Sequence, residues 1–129
     1  ESATGNLQPK TDAGLTYNAS TAVLYATDIV ASSDITLKEN INPITDALAK
    51  VLQLGGYSFD WKDKKRGSST GLIAQEVEKI LPELVKNQNG VNDNKSLNYN
   101  GIIGLLVESI KELKSEVEEL KSINSKDKG

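Results

Sequence analysis

Residues 103–124 read IGLLVESIKELKSEVEELKSIN. Apolar side chains stand at Ile103, Leu106, Ile110, Leu113, Val117 and Leu120, spaced 3, 4, 3, 4 and 3 residues apart, and a further step of 4 reaches Asn124. That is a heptad seam, with Ile103, Ile110, Val117 and Asn124 at position a and Leu106, Leu113 and Leu120 at position d. Glu116 falls at g and Lys121 at the following e, a pairing suited to a parallel coil. The early half of the stretch also carries Ile102, Leu105 and Val107, which predicts burial there on more than one side. The later half is polar off the seam and extends far for a small domain, which predicts self-association. By seam chemistry alone, β-branched residues at a with Leu at d favour a parallel dimer.

Upstream of this helix the signals are mixed. Residues 1–14 are polar, with Gly5, Pro9 and Gly14 as breakers, and read as irregular. Residues 15–31 are rich in Thr, Val, Ile and Tyr and predict one or two short strands, closed by a Ser32-Ser33-Asp34 junction. Asn42-Pro43 has the form of a helix start, and Ile44, Ala47, Leu48, Val51 and Leu52 follow at helical spacing up to Gly55-Gly56. Tyr57, Phe59 and Trp61 alternate with Ser58 and Asp60, predicting a strand with one buried face. A charged turn over 62–70 leads to a second helix carrying Ile73, Val77, Ile80 and Leu81, stopped by Pro82. A short strand at Leu84-Val85, a turn-rich loop over 87–95 and a strand around Leu97 and Tyr99 complete the series. The fold class is therefore α+β: an N-terminal β-segment, a small mixed globular unit and a long C-terminal coiled-coil helix.

Composition narrows the function. The chain has 129 residues, 5% aromatic and 26% charged, so its own core is modest and help from partner subunits is expected. It contains no Met, from which we expect an internal or C-terminal piece of a longer product. The net charge is −3, which argues against a nucleic-acid groove. The single basic cluster, Lys62, Lys64, Lys65 and Arg66, is interrupted by Asp63 and preceded by Asp60, and reads as a solvated turn. There is no Cys and no His, so thiol catalysis, the usual zinc sites and a Ser-His-Asp triad are excluded. Any nucleophile must be Ser or Thr, with Lys, Asp or Glu as helper. No apolar run reaches membrane-spanning length. No metal, cofactor, nucleic acid or membrane is implied.

Ser33-Asp34-Ile35-Thr36-Leu37-Lys38-Glu39-Asn40-Ile41 resembles the opening signature of the phage tail fibre and tail spike intramolecular-chaperone auto-processing family. The similarity continues in order through Leu54-Gly55-Gly56-Tyr57-Ser58-Phe59-Asp60-Trp61, Gly71-Leu72-Ile73-Ala74-Gln75-Glu76-Val77, Leu81-Pro82-Glu83-Leu84-Val85, Ser96-Leu97-Asn98-Tyr99 and the Leu-rich final helix. It covers about residues 33–122. The resemblance implies a chaperone domain over 33–129, with a globular part at 33–100 and a coiled-coil helix at 101–124, following the end of the fibre β-structure at 1–32. It implies an intertwined homotrimer rather than the dimer of the seam, with the upstream fibre of the same polypeptide as the folding client. It further implies self-cleavage at Ser32–Ser33, with Ser33 as nucleophile and Lys38 as base. The setting would be a virion tail fibre precursor made in the host cytoplasm, from which the chaperone is released.

The chemistry makes demands on the structure. A Lys is a base only once its proton is lost, and desolvation favours that. Residues five apart point to opposite faces of a strand and are not neighbours on a helix. The dyad therefore needs either an irregular backbone or Lys38 from an adjacent subunit. Asp34 either orients Lys38 or caps the turn. The alternative reading is an oligomerisation or receptor-attachment domain without peptidase activity, in which Ser33 is a turn residue and Lys38 a surface charge.

Overall fold

Turn residues and short alternating runs make the β-structure of this chain a set of separate hairpins. The computed structural model describes residues 14–20, 22–87 and 94–126; the expectations for residues 1–13 and most of the 87–95 loop lie outside these. Strand β1 (Leu15–Asn18) pairs antiparallel with β2 (Val23–Ala26), Leu15 facing Ala26 and Asn18 facing Val23. Strand β3 (Tyr57–Asp60) shares a two-stranded sheet with β4 (Ser68–Gly71), and β5 (Val85–Asn87) pairs antiparallel with β6 (Lys95–Leu97). Among the described residues the α-helices are α1 (Ala47–Val51), α2 (Ala74–Ile80) and α3 (Tyr99–Lys126). The class is α+β, with small antiparallel sheets and a long C-terminal helix.

The chain divides into two compact units, Glu1–Asn40 with Asp60–Ser69, and Ile41–Phe59 with Thr70–Gly129. In the first, Trp61 N donates to Gly67 O at 3.0 Å, and the Arg66 guanidinium lies 3.4 Å from the centre of the half-buried Trp61 ring. The basic cluster expected to be a plain solvated turn thus carries one cation–π contact.

The second unit holds the core: Ala47, Val77, Leu81, Ile102 and Leu105, with Ile44, Val51, Leu54, Leu72, Ile80, Leu84, Val85 and Leu97 packed against them. Leu105 and Val77 are the large side chains fully out of water, each worth about 1.5–3 kcal/mol by burial. Close approach is built in at Gly101, where a Cβ would overlap the Leu84 side chain. Among the described residues five apolar side chains form the buried core, and at least twenty large apolar residues remain exposed.

Several elements differ from the sequence reading. The first helix begins at Ala47, not after Asn42-Pro43, because Asp46 sits in the left-handed region at φ 54° and breaks any helix upstream of it. Asp46 makes no side-chain cap; instead the Glu112 carboxylate of α3 accepts from Ala47 N at 2.9 Å and Leu48 N at 2.8 Å. Those two amides are free donors at a helix start, and an anion is the favoured partner. Tyr99, expected in a strand, opens α3, and its hydroxyl oxygen accepts from Leu72 N at 3.1 Å. Of the aromatic alternation, Phe59 and Trp61 are half-buried, whereas Tyr57 is exposed and donates its hydroxyl to Glu76 at 3.0 Å.

Candidate functional site

In the segment after β2, residues 28–43 are all exposed. Within it, Ile35–Leu37 forms one turn of 3-10 helix. Leu37 N donates to Asp34 O at 3.2 Å and Lys38 N to Ile35 O at 3.1 Å. The turn starts at Asp34 because its carboxylate is the natural N-cap: Oδ1 accepts from Thr36 N at 2.8 Å and from Thr36 Oγ1 at 2.7 Å. Hydrogen bonding from the Thr36 hydroxyl, then from its amide, holds the Asp34 carboxyl below the usual carboxylate range.

This turn reverses the chain and brings Lys38 back to Ser33. Lys38 Nζ lies 2.7 Å from Ser33 Oγ and 3.0 Å from Ser33 O, within one chain. The contact within one chain corresponds to the first of the two arrangements that the spacing left open, an irregular backbone between the two residues. Lys38 Nζ is the donor in both contacts. Asp34 caps the turn, and its hydrogen bonds go to Thr36 rather than to Lys38. Ser32 is exposed beside Ser33. Among the described residues no cluster of His, Cys, Asp or Glu could hold a metal ion, and no described helix is long and apolar enough to cross a membrane.

The helix that the heptad pattern singled out presents two adjacent stripes. Ile102, Leu105 and Ser109 are buried, and Glu112 is half-buried where it caps α1. Ser109 satisfies its hydroxyl by donating to Leu106 O at 2.9 Å. The seam residues Ile103, Leu106, Ile110, Leu113, Val117 and Leu120 lie on the other stripe and remain 40–65% exposed. Val107, expected to be buried, is exposed as well. From Leu113 to Lys126 every residue of α3 is exposed.

Comparison with known proteins adds two findings. Residues 33–86 match a peptidase-family model described as "Chaperone of endosialidase", and the match begins at Ser33. The chain is also similar to curated phage proteins called Long tail fiber protein Gp37. It is 39% identical to that of Salmonella phage S16 over 115 residues (78% of this chain, 15% of the relative). It is 37% identical to that of Enterobacteria phage K3 over 103 residues (75% and 8%) and 33% identical to that of Enterobacteria phage M1 over 102 residues (74% and 41%). The chain thus spans less than half the length of each of these relatives.

Proposed function

We propose, from the match of residues 33–86 to the chaperone-of-endosialidase family model, that this chain is the C-terminal intramolecular chaperone of a phage tail fibre. It assembles three copies through α3, supports folding of the fibre segment upstream, and then cuts itself off between Ser32 and Ser33. The exposed seam supports the assembly step, because six large apolar side chains at heptad spacing stay in water unless another helix covers them. The tail fibre names of the relatives support a virion setting.

The observation that carries the cleavage step is the 2.7 Å approach of Lys38 Nζ to Ser33 Oγ at the first residue of the family match. The reaction proceeds in balanced steps. Neutral Lys38 takes the proton of the Ser33 hydroxyl, and Oγ adds to the carbonyl carbon of Ser32. The resulting oxyanion needs backbone donors. The bond from that carbon to Ser33 N then breaks, and the nitrogen receives the proton from Lys38. This leaves Ser32 as an ester on Ser33 Oγ with a free Ser33 amine. Water hydrolyses the ester to the Ser32 carboxylate and restores the hydroxyl. Neutral Lys38 is favoured once water is excluded around it. Ile35 and Leu37, which flank the site at 72% and 73% exposure, are the surfaces a neighbouring copy would cover. Cleavage then waits for assembly.

One observation favours a second reading, an oligomerisation domain without peptidase activity: Lys38 is exposed in the single chain. Intact mass decides between them. The wild-type precursor should yield two fragments split before Ser33, and Ser33→Ala should stay whole. A wild-type precursor that stays whole after assembly leaves the non-peptidase reading standing.

A further inference from the structure

Ser33 and Lys38 are five residues apart, which in extended chain separates their Cα atoms by about 17 Å. Contact between them depends on the turn over Ile35–Leu37, and no residue of that turn is buried. The core therefore does not hold it. What holds it is local: two backbone hydrogen bonds, 3.1 and 3.2 Å long, and the two bonds that the Asp34 carboxylate receives from Thr36. A single turn of 3-10 helix is marginal by itself, so the Asp34–Thr36 pair decides how much of the time the turn is closed. The Thr36 hydroxyl donates its hydrogen bond to Asp34 Oδ1.

We propose that Thr36 is a positioning residue for self-cleavage: its hydroxyl and amide clamp the Asp34 carboxylate, and this latch closes the turn that delivers Lys38 Nζ to Ser33 Oγ. The inference rests on the self-cleavage reading above. It assigns Asp34 an indirect role, through the backbone, and gives the Thr36 hydroxyl a task that its exposure alone would not suggest. Small losses of alignment between nucleophile and base are costly in rate. A latch worth one hydrogen bond therefore appears as a rate effect, not as a loss of fold.

The test follows cleavage of the full-length fibre precursor over time, made by cell-free translation and read by intact mass. Wild type, Ser33→Ala, Thr36→Val and Thr36→Ser are compared, and sedimentation reports assembly. Thr36→Val keeps the shape and removes the hydroxyl, and should slow cleavage about fivefold, the worth of one exposed hydrogen bond. Thr36→Ser restores the hydroxyl and should stay within about twofold of wild type. All four should assemble alike. The latch is overturned if Thr36→Val cuts at the wild-type rate, if Thr36→Ser is as slow as Thr36→Val, or if Thr36→Val fails to assemble. A wild-type precursor that is never cut removes the self-cleavage reading itself, and the latch with it.

Discussion

Leu113 offers the sharpest test of assembly, because it lies on the exposed seam directly after Glu112, the α3 residue that caps α1. Glu112 is still engaged with α1, whereas Leu113 is 48% exposed and stands outside the core cluster. Full burial of a Leu is worth about 1.5–3 kcal/mol, so covering its exposed half in a seam contributes about 1 kcal/mol per chain. In a trimer that is about 3 kcal/mol, a factor of about 10² in the association constant. Leu113→Asp removes this and puts a carboxylate in the seam. Burying three unpaired carboxylates costs about 10 kcal/mol or more per trimer, enough to dissociate an assembly held in the micromolar range. Sedimentation equilibrium should show a trimer for wild type and a monomer for Leu113→Asp. The monomer should keep its helical circular dichroism, since Ala47, Val77, Leu81, Ile102 and Leu105 are untouched. Glu119→Gln, exposed and off the seam, should leave the trimer intact. An unchanged oligomer in Leu113→Asp would refute the seam. A wild-type dimer would refute the count of three and leave the seam standing.

Two further outcomes follow from named contacts. Because Lys38 reaches Ser33 of its own chain, mixed assembly of Ser33→Ala and Lys38→Arg precursors should yield no cleavage, since guanidinium cannot act as base; fragments from the Lys38→Arg chains would instead locate the base in a neighbouring subunit. Glu112 is held below the usual carboxylate range by the hydrogen bonds from Leu48 and Ala47, with Lys50 adding to the effect. A depressed folded pKa means the unfolded chain binds the proton more readily. The stabilisation is therefore complete above the unfolded value, near 4.3, and is lost as pH falls through the folded value. Urea midpoints for wild type should drop across that acid range more steeply than those for Glu112→Gln, and parallel curves would show that the cap does not couple to folding.

Much of the fold was legible because it rests on local rules. The 3-4 heptad pattern predicts a long helix, Pro82 predicts that α2 stops, and the Thr- and Val-rich run predicts one or two short strands. The paired types Ser33 and Lys38 were visible through the motif around them. Tertiary structure decided the rest. Periodicity marks two neighbouring stripes on α3, Ile102/Leu105/Ser109 and Ile103/Leu106/Ile110, and cannot say which one meets the chain's own core; packing against α1 chose the first and left the heptad seam in water. Asn42-Pro43 carries the local chemistry of a helix start, yet the helix begins four residues after Pro43. Its free amides are met by Glu112, 65 residues from Ala47, a partner no local window contains. Ser33 and Lys38 fit neither strand nor helix geometry, and they meet because an Asp34–Thr36 cap, whose strength depends on hydrogen-bond geometry rather than residue spacing, bends the backbone between them.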